Sequence, residues 1–350
     1  MARAVGIPSS RQARAAGLAW FVALSAWISP AAAQVADVQA MEVIDVRLLH
    51  QGGPPAVVSS VAISPDGLVL ATGGDDHLVR LWNVVDGKLM HALRFHTDWV
   101  RAAAFDPAGE RLASAGEDRK IVLWDASSGR PIRTLASPEA VYSLAFSPDG
   151  LLLAAAGFSD KLRLYNSHSG VLVREFECPC SDTRVLAVSP DGRLLAAGGR
   201  NGQVRIWPLT GESPPRTIQA DRRRIRALAF APDSSRLATA GDGDKIRLWD
   251  TVTWDVAATL TSGHGRTLSL VFCGPDRLAS GGSNNLIEVW DLAAGAVELR
   301  LVGHVGTVTS LVFHAQSSLL ASGSFDTTAR LWNLGTTPPV RQAAEPRLIR

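Results

Sequence analysis

Short runs in which apolar and polar residues alternate recur along most of the chain, four of them in each stretch of about 42 residues. In one stretch these runs cover 100–105, 111–114, 120–124 and 131–135, with turn residues between them. A period of two residues places alternate side chains on opposite faces of a strand. Each stretch is therefore predicted to form a unit of four short antiparallel strands.

An aromatic residue lies in or directly after the third run of every unit. Its spacing is nearly constant, with 41 or 42 residues from one unit to the next. A fixed period of this length is typical of repeat architectures. The chain is therefore predicted to contain seven copies of the unit, whose aromatic residues are Trp82, Trp124, Tyr165, Trp207, Trp249, Trp290 and Trp332.

The first and second runs of several units are joined by the same four-residue turn. Ser-Pro-Asp-Gly stands at 64–67, 147–150 and 189–192, and degenerate forms stand at 106–109 and 231–234. Proline fixes φ at the second turn position, and glycine accepts the geometry with which the chain leaves the turn. These turns predict a tight hairpin between the first two strands of a unit.

The third run ends in Trp-Asp in three units, at 124–125, 249–250 and 290–291, and in Trp-Asn in the first and seventh units. Together with the period and the turns, this pattern resembles the WD40-repeat family over residues 42 to about 335. The resemblance implies an all-β fold, a seven-bladed β-propeller of four-stranded antiparallel blades. A closed ring of this kind leaves only short, protected strand edges.

The seventh unit lacks a fourth run, because glycine and proline residues follow its third run. A matching run lies at the start of the propeller region, where residues 43–50 resemble the fourth run of the sixth unit at 297–302. We therefore expect this N-terminal strand to complete blade seven and close the ring. Residues 336–350 are expected to form a flexible C-terminal tail.

The first 33 residues have the three parts of a secretory signal peptide. Three arginines precede the apolar stretch 15–28, and small residues follow up to Ala33. This stretch is shorter than the roughly 20 residues of a spanning helix, which favours cleavage after Ala33 over retention as an anchor. With the alanine- and arginine-rich composition, this predicts an exported, bacterial-type protein, periplasmic or secreted. Residues 34–41 are expected to be a linker.

Removal of the signal changes the charge balance. The whole chain has 35 lysines and arginines against 33 acids, a formal net charge of +2. Residues 1–33 carry three arginines and no acid, so 32 basic residues remain against 33 acids, a net charge of −1. A nearly neutral exported chain gives no electrostatic reason to expect nucleic acid as a partner. No second apolar run has membrane length, so we expect no stable membrane insertion after cleavage, and a monomer.

No sequence motif for a cofactor or a catalytic metal is present. The chain has no glycine-rich phosphate loop, no haem-attachment motif and no histidine pair at helical ligand spacing. We therefore expect no cofactor and no metal. Cys178 and Cys180 are near enough in sequence to pair, and both a disulfide and a soft-metal or redox site remain open for them.

A histidine, a serine, an aspartate and a tryptophan recur in register in two units, and the resemblance implies that they form a buried network. A serine, histidine and aspartate set can also indicate a nucleophilic triad. Recurrence in separate blades, each time with the tryptophan, favours a structural network, because buried polar groups must be paired. No catalytic residue is assigned. The network residues are His96, Ser114, Asp118 and Trp124 in blade two and His304, Ser322, Asp326 and Trp332 in blade seven.

Two positions beside the first apolar residue of each blade point, as the resemblance implies, toward the channel at the top of the ring. Arginines and aromatic residues occupy many of them, which predicts a docking surface for an acidic peptide or another anionic ligand, with the aromatic side chains as anchors. The alternative is a solvated charged rim, because Asp182 and Asp221 lie nearby. The candidate residues are Trp99, Arg101, Tyr142, Arg184, Arg224, Arg226 and Arg266.

These features favour a non-catalytic scaffold that binds a protein or peptide partner. A propeller enzyme with a site at the channel mouth is one alternative, and it needs acids or histidines that converge from several blades. An accessory subunit of a periplasmic redox or envelope complex is another, with the Cys178–Cys180 loop or the C-terminal tail as its contact. The fold by itself does not decide among these functions.

Overall fold

The structure, a computed structural model, describes residues 35–39, 42–45, 56–180, 182–210, 213–262 and 265–335. Within these ranges there are 29 strands and no helix. The predicted signal peptide at 1–33 and the predicted tail at 336–350 lie outside the described residues, so both stay predictions.

Two strands precede the first repeat, and the next twelve form blades one to three. The N-terminal strands are β1 (Ala36–Gln39) and β2 (Glu42–Asp45). Blade one contains β3 (Val58–Ile63), β4 (Val69–Gly74), β5 (Leu78–Asn83) and β6 (Leu89–Arg94). Blade two contains β7 (Val100–Phe105), β8 (Arg111–Gly116), β9 (Lys120–Asp125) and β10 (Pro131–Ala136). Blade three contains β11 (Val141–Phe146), β12 (Leu152–Gly157), β13 (Lys161–Asn166) and β14 (Leu172–Glu177).

The remaining strands form blades four to seven. Blade four contains β15 (Val185–Val188), β16 (Leu194–Gly198), β17 (Gln203–Pro208) and β18 (Arg216–Gln219). Blade five contains β19 (Ile225–Phe230), β20 (Arg236–Gly241), β21 (Lys245–Asp250) and β22 (Val256–Thr261). Blade six contains β23 (Thr267–Phe272), β24 (Arg277–Gly282), β25 (Ile287–Asp291) and β26 (Ala296–Val302), and blade seven begins with β27 (Val308–His314), β28 (Leu319–Ser324) and β29 (Thr328–Asn333).

The strands of each repeat form an antiparallel sheet in which they follow one another in chain order, and β1 and β2 join the sheets of blades six and seven. The chain is thus a seven-bladed β-propeller of four-stranded blades, as the period of the aromatic residues predicts. The second and third strands are almost wholly buried, whereas the fourth strand of blade two buries only Leu135. The first strands line the central channel, and the fourth strands lie at the outer rim.

Seven apolar clusters fill the spaces between neighbouring blades, and each contains one of the seven repeated aromatic residues. Trp124 of blade two, for example, packs with Val79 and Leu81 of blade one. Trp82 of blade one packs with Leu331 of blade seven, which closes the ring. The constant period therefore reflects one requirement, that every blade present its aromatic face to the blade before it.

The N-terminal strand β2 supplies the fourth strand of blade seven. It pairs antiparallel with β29, in a register that runs from Glu42 opposite Leu331 to Asp45 opposite Thr328. This confirms the predicted closure by an N-terminal strand. The observed strand covers 42–45, and the other residues of the predicted strand, 46–50, lie outside the described residues.

The strand β1 was not expected, because residues 34–41 were predicted to be a linker. In the structure Ala36–Gln39 pairs parallel with β26 and adds a fifth strand to blade six. An outer strand presents a row of unpaired backbone groups that another segment can satisfy. β26 is also longer than the other outer strands. The sequence did not predict this strand, because four alternating residues are too few to be recognised as a strand.

Hydroxyl groups on the innermost strands add a second closure between blades seven and one. The Thr309 hydroxyl donates to the Val58 carbonyl at 2.6 Å, and the Val61 N–H donates to the Ser310 hydroxyl at 3.2 Å. The ring is therefore joined at its inner wall by these side chains and at its rim by β2.

Replacing Ile44 by proline tests the closing role of β2. Proline removes a backbone donor and is tolerated poorly inside a paired strand, so we expect Ile44→Pro to lower the free energy of unfolding by about 2 kcal/mol. The matched control is Val38→Pro in β1, which we expect to cost clearly less, because blade six keeps four strands without β1. Urea denaturation of both variants is the measurement. Equal losses would contradict a special role for β2.

Candidate binding site at the channel mouth

The four predicted network residues of blade two are joined by hydrogen bonds. His96 Nε2 lies 2.7 Å from Ser114 Oγ, and His96 Nδ1 lies 2.9 Å from Asp118 Oδ2. The Trp124 indole donates to Ser114 Oγ at 2.8 Å, and the Thr97 N–H donates to Asp118 at 3.2 Å. The network therefore fastens the loop before the first strand to the turn after the second.

The same arrangement recurs in blade seven. His304 lies 2.8 Å from Ser322 Oγ and 2.8 Å from Asp326 Oδ2, and the Trp332 indole donates to Ser322 at 2.9 Å. Although burial opposes it, hydrogen bonds from His304 and Thr328 hold the pKa of Asp326 well below its usual range. The carboxylate is therefore ionised and can accept these bonds.

The network geometry is unsuited to nucleophilic catalysis. Ser114 is fully buried, and its hydroxyl is already bonded to both an imidazole and an indole. Burial lowers the pKa of His96, although the Asp118 carboxylate opposes this shift. A neutral imidazole has one donor and one acceptor, which matches one carboxylate partner and one hydroxyl partner. These groups satisfy one another and do not open onto a cavity.

Removing the shared hydroxyl tests the structural role. We expect Ser114→Ala to lower the free energy of unfolding by about 1–3 kcal/mol, because the Trp124 N–H and His96 lose a buried partner. Thermal unfolding is the measurement. The control Ser128→Ala, at an exposed turn in the same blade, should change stability by less than about 0.5 kcal/mol. A loss no larger than that of the control would contradict the network.

A cavity of about 410 Å³ opens at the channel mouth, at the end of the ring where these loops and turns meet. Four arginines and one tyrosine of the predicted docking surface line it, together with serine, threonine and apolar side chains of the innermost strands. No acidic side chain is among the described residues that line it. The five candidate residues in the lining are Arg101, Tyr142, Arg184, Arg224 and Arg226.

Three carboxylates outside the lining hold these arginines. Glu117 Oε1 accepts from Arg101 at 2.7 and 3.0 Å. Asp182 binds two arginines, with distances of 2.7 Å to Arg184 Nε and 2.9 Å to an Arg224 terminal nitrogen.

Asp242 binds Arg226 Nε at 2.5 Å, so four guanidinium groups face three carboxylates around the mouth. Burial lowers the pKa of Arg224, and the guanidinium groups of Arg184 and Arg226 lower it further, against the opposing charge of Asp182. The mouth is therefore a place where an added anion relieves repulsion among like charges.

Aromatic rings alternate with two of the arginines on one side of the mouth. The Arg101 guanidinium lies 4.2 Å from the centre of the Trp99 ring and 5.5 Å from that of Tyr142. Arg184 lies 4.5 Å from the Tyr142 ring and 5.0 Å from the Phe158 ring. The Tyr142 hydroxyl also donates to Glu117 at 2.9 Å. These contacts order the side chains before any ligand arrives.

Arg266 is the one candidate that the structure does not bring to this cavity or to its aromatic stack. Its side chain is 64% exposed and lies 3.9 Å from Asp242. It lines a neighbouring cleft of about 760 Å³, with Arg222, Arg223 and Arg247 among other charged residues. Arg266 therefore belongs to the outer rim, whereas the other candidates form one group.

Three residues of the site that were not predicted from the sequence directly follow the glycine at the end of a second strand. Glu117 and Asp242 hold arginines, and Phe158 ends the aromatic stack. The backbone N–H of each bonds to the loop before the first strand, as Glu117 does to the Trp99 carbonyl at 3.0 Å. A Cβ at Gly116 would overlap that carbonyl oxygen. The close approach of the two backbones requires glycine at this position. The glycine is therefore a sequence signal that could have identified the next residue as part of the site.

Cys178 and Cys180 form a disulfide, with their Cα atoms 5.1 Å apart, and both are buried. A paired cysteine does not supply a thiolate, so the soft-metal alternative is not available to the oxidised pair. Cys273 is unpaired, and burial raises its pKa to about 12. Among the described residues, no group of three or more histidine, cysteine, aspartate or glutamate side chains could hold a metal ion.

Family comparisons agree with this architecture. Residues 57–270, more than half of the chain, match the family described as the IFT122 first beta-propeller, and residues 295–333 match the WD domain, G-beta repeat. The chain belongs to the WD40-repeat family of β-propellers. In the part of the chain that the structure describes, no helix is long and apolar enough to cross a membrane.

Curated relatives match this WD40-repeat chain over short segments. The small ribosomal subunit protein RACK1z of Arabidopsis thaliana is 46% identical over 41 residues, which cover 12% of this chain and 12% of that protein. The general transcriptional corepressor TUP1 of Saccharomyces cerevisiae is 38% identical over 55 residues, or 15% and 8%. The probable serine/threonine-protein kinase PkwA of Thermomonospora curvata is 41% identical over 59 residues, or 15% and 8%. This chain therefore spans only a small part of these relatives' length.

Proposed function

We propose that this propeller is a non-catalytic scaffold that binds a protein or peptide partner at its channel mouth, through an acidic segment of that partner. The observation that carries the proposal is the composition of the mouth. Four arginines line a cavity of about 410 Å³ whose described lining contains no acid, while the carboxylates that bind these arginines are outside that lining. An anionic group that enters meets cationic groups first.

Charge by itself is too weak to hold such a partner. Exposed ion pairs contribute about 0.2–1 kcal/mol each, so four give at most about 4 kcal/mol, whereas micromolar binding needs about 8 kcal/mol. The alternating rings of Trp99, Tyr142 and Phe158 offer the missing apolar contact beside the arginines. Interface energy concentrates in aromatic and arginine side chains, and this site combines both.

A binding role fits the composition of the mouth better than a catalytic one. Its described lining has serine, threonine, tyrosine and arginine as polar residues and offers no histidine, cysteine, aspartate, glutamate or lysine as a general base. Among the relatives, one is named a general transcriptional corepressor and another a small ribosomal subunit protein. We extend from them only the general role of a platform for other proteins.

We also propose that the protein is exported, monomeric and of bacterial type. Residues 1–33 carry the features of a signal peptide, and the Cys178–Cys180 disulfide suits an oxidising compartment such as the periplasm or the extracellular space. The alternative role in a periplasmic redox complex is weaker, because both sulfur-bearing side chains are buried and the bond is not presented to a partner.

Binding of a fluorescein-labelled hexaglutamate peptide tests the proposal. We expect the peptide to bind the wild-type protein, more weakly as salt is added, and to bind Arg224→Gln/Arg226→Gln about tenfold or more weakly, because two lining charges are lost. Fluorescence anisotropy gives both affinities.

The control removes two arginines at the opposite end of the ring. Arg193 and Arg236 follow the turns between first and second strands. The variant Arg193→Gln/Arg236→Gln changes the net charge by the same amount and should leave the affinity for the peptide unchanged. Equal losses in the two double variants, or equal binding of a neutral hexaglutamine peptide, would contradict an acidic docking site at the mouth.

A further inference from the structure

In blade four, the loop before the first strand is held by other contacts than in blades two and seven. The network histidines His96 and His304 stand four residues before the first buried residue of their blades, Val100 and Val308. The same position in blade four is Pro179, between the two paired cysteines. The disulfide therefore occupies the place in the repeat that the histidine occupies elsewhere.

The other network positions of blade four are also replaced. Ala197 stands where the serine is found, and Asn201 stands where the aspartate is found. The Asn201 side-chain amide donates to the Pro179 carbonyl at 2.8 Å, and its backbone N–H donates to the Cys180 carbonyl at 3.4 Å. The Asn201 turn is therefore still bonded to the loop, but here the turn residue donates hydrogen bonds to carbonyl groups of the loop.

The two cysteines replace the histidine in packing as well as in position. Cys178 and Cys180 belong to the apolar cluster between blades three and four that contains Phe176 and Trp207. Blade three holds the same loop from the other side, because the Cys178 N–H donates to the Asp160 carbonyl at 2.6 Å. The loop is therefore fastened by covalent and apolar contacts where blades two and seven use a polar network.

This loop leads directly to Asp182, the carboxylate that holds Arg184 and Arg224 at the mouth. Asp182 has a φ of 54°, a left-handed conformation that is uncommon for a residue with a side chain and that persists when its surroundings fix it. The Thr183 N–H donates to the Ser159 carbonyl at 3.1 Å. Two of the four lining arginines therefore depend on the position of one loop residue.

We propose that the Cys178–Cys180 disulfide is a positioning element of the binding site, which replaces the histidine network in blade four and keeps Asp182 where it orients Arg184 and Arg224 toward an anionic ligand. The ligand part of this inference rests on the proposed function. A cross-link that spans a single residue constrains the unfolded chain little, since the entropic effect grows with loop length. Its main effect is therefore local.

The test compares the wild-type protein with Cys178→Ala/Cys180→Ala by hydrogen exchange and by hexaglutamate binding. The Cys178, Thr183 and Arg184 N–H groups all donate to neighbouring carbonyl groups, and they report on the loop. We expect their exchange to be about tenfold faster in the variant, and the affinity for hexaglutamate to fall about tenfold, because two arginines must be ordered on binding.

His304→Ala is the matched control for general loosening. It removes the fastening of the blade-seven loop, whose residues include no arginine, so exchange should rise there while the affinity for hexaglutamate stays the same. Asp182→Asn keeps the disulfide and removes the charge that binds both arginines. We expect it to weaken hexaglutamate binding about tenfold and to leave the exchange of the Cys178 N–H unchanged, even if the alanine variant fails to fold.

The possible results separate the two proposals. Unchanged exchange of the Cys178, Thr183 and Arg184 N–H groups in the alanine variant overturns the fastening role, and faster exchange with unchanged affinity overturns the positioning role. Equal losses of affinity in His304→Ala and the alanine variant also overturn it. If the wild-type protein does not bind hexaglutamate but the loop exchanges faster without the disulfide, the fastening role stands and the acidic docking site is contradicted.

Discussion

The constraint on which the structure depends is that a blade cannot bury its aromatic face alone. Each repeated aromatic residue packs against the blade before it, so the first blade must meet the last, and the ring needs a strand from the other end of the chain. β2 provides that strand at the rim, and hydroxyl groups of Thr309 and Ser310 provide a second junction at the channel wall. Once the ring is closed, the loops before the first strands converge on one mouth.

The chemistry of the mouth follows from how each blade fastens its loop. Blades two and seven use a buried histidine network, and blade four uses a disulfide with an asparagine turn. In blade two, Glu117 meets the fastened loop and holds Arg101, and in blade four the fastened loop leads to Asp182, which holds Arg184 and Arg224. In these two blades stability and binding are therefore linked, because a change that loosens the loop also releases an arginine that a partner would contact.

The sequence predicted the ring, the closing strand and the network residues, because each leaves a periodic or in-register signal. It did not predict β1, because an alternation of only four residues, Ala-Asp-Val-Gln, is too short to be recognised as a strand. It placed the arginines at the mouth, but could not tell that Asp182 binds two of them, because that contact joins neighbouring blades and depends on the left-handed backbone of one residue. The choice between disulfide and metal for Cys178 and Cys180 also needed three-dimensional positions.

The most direct test of the closed ring is a disulfide engineered across β2 and β29. Ile44 lies opposite Ala329, and directly opposed antiparallel residues have Cα atoms about 4.5–5.5 Å apart, within disulfide reach. Mass spectrometry of unreduced Ile44→Cys/Ala329→Cys should find an intramolecular link between these positions. In the control pair Ile44→Cys/Arg330→Cys the two positions are not directly opposed, because Arg330 pairs with Val43, and no 44–330 link should form. Absence of the 44–329 link, or its formation only between molecules, would contradict a ring closed by the N-terminal strand.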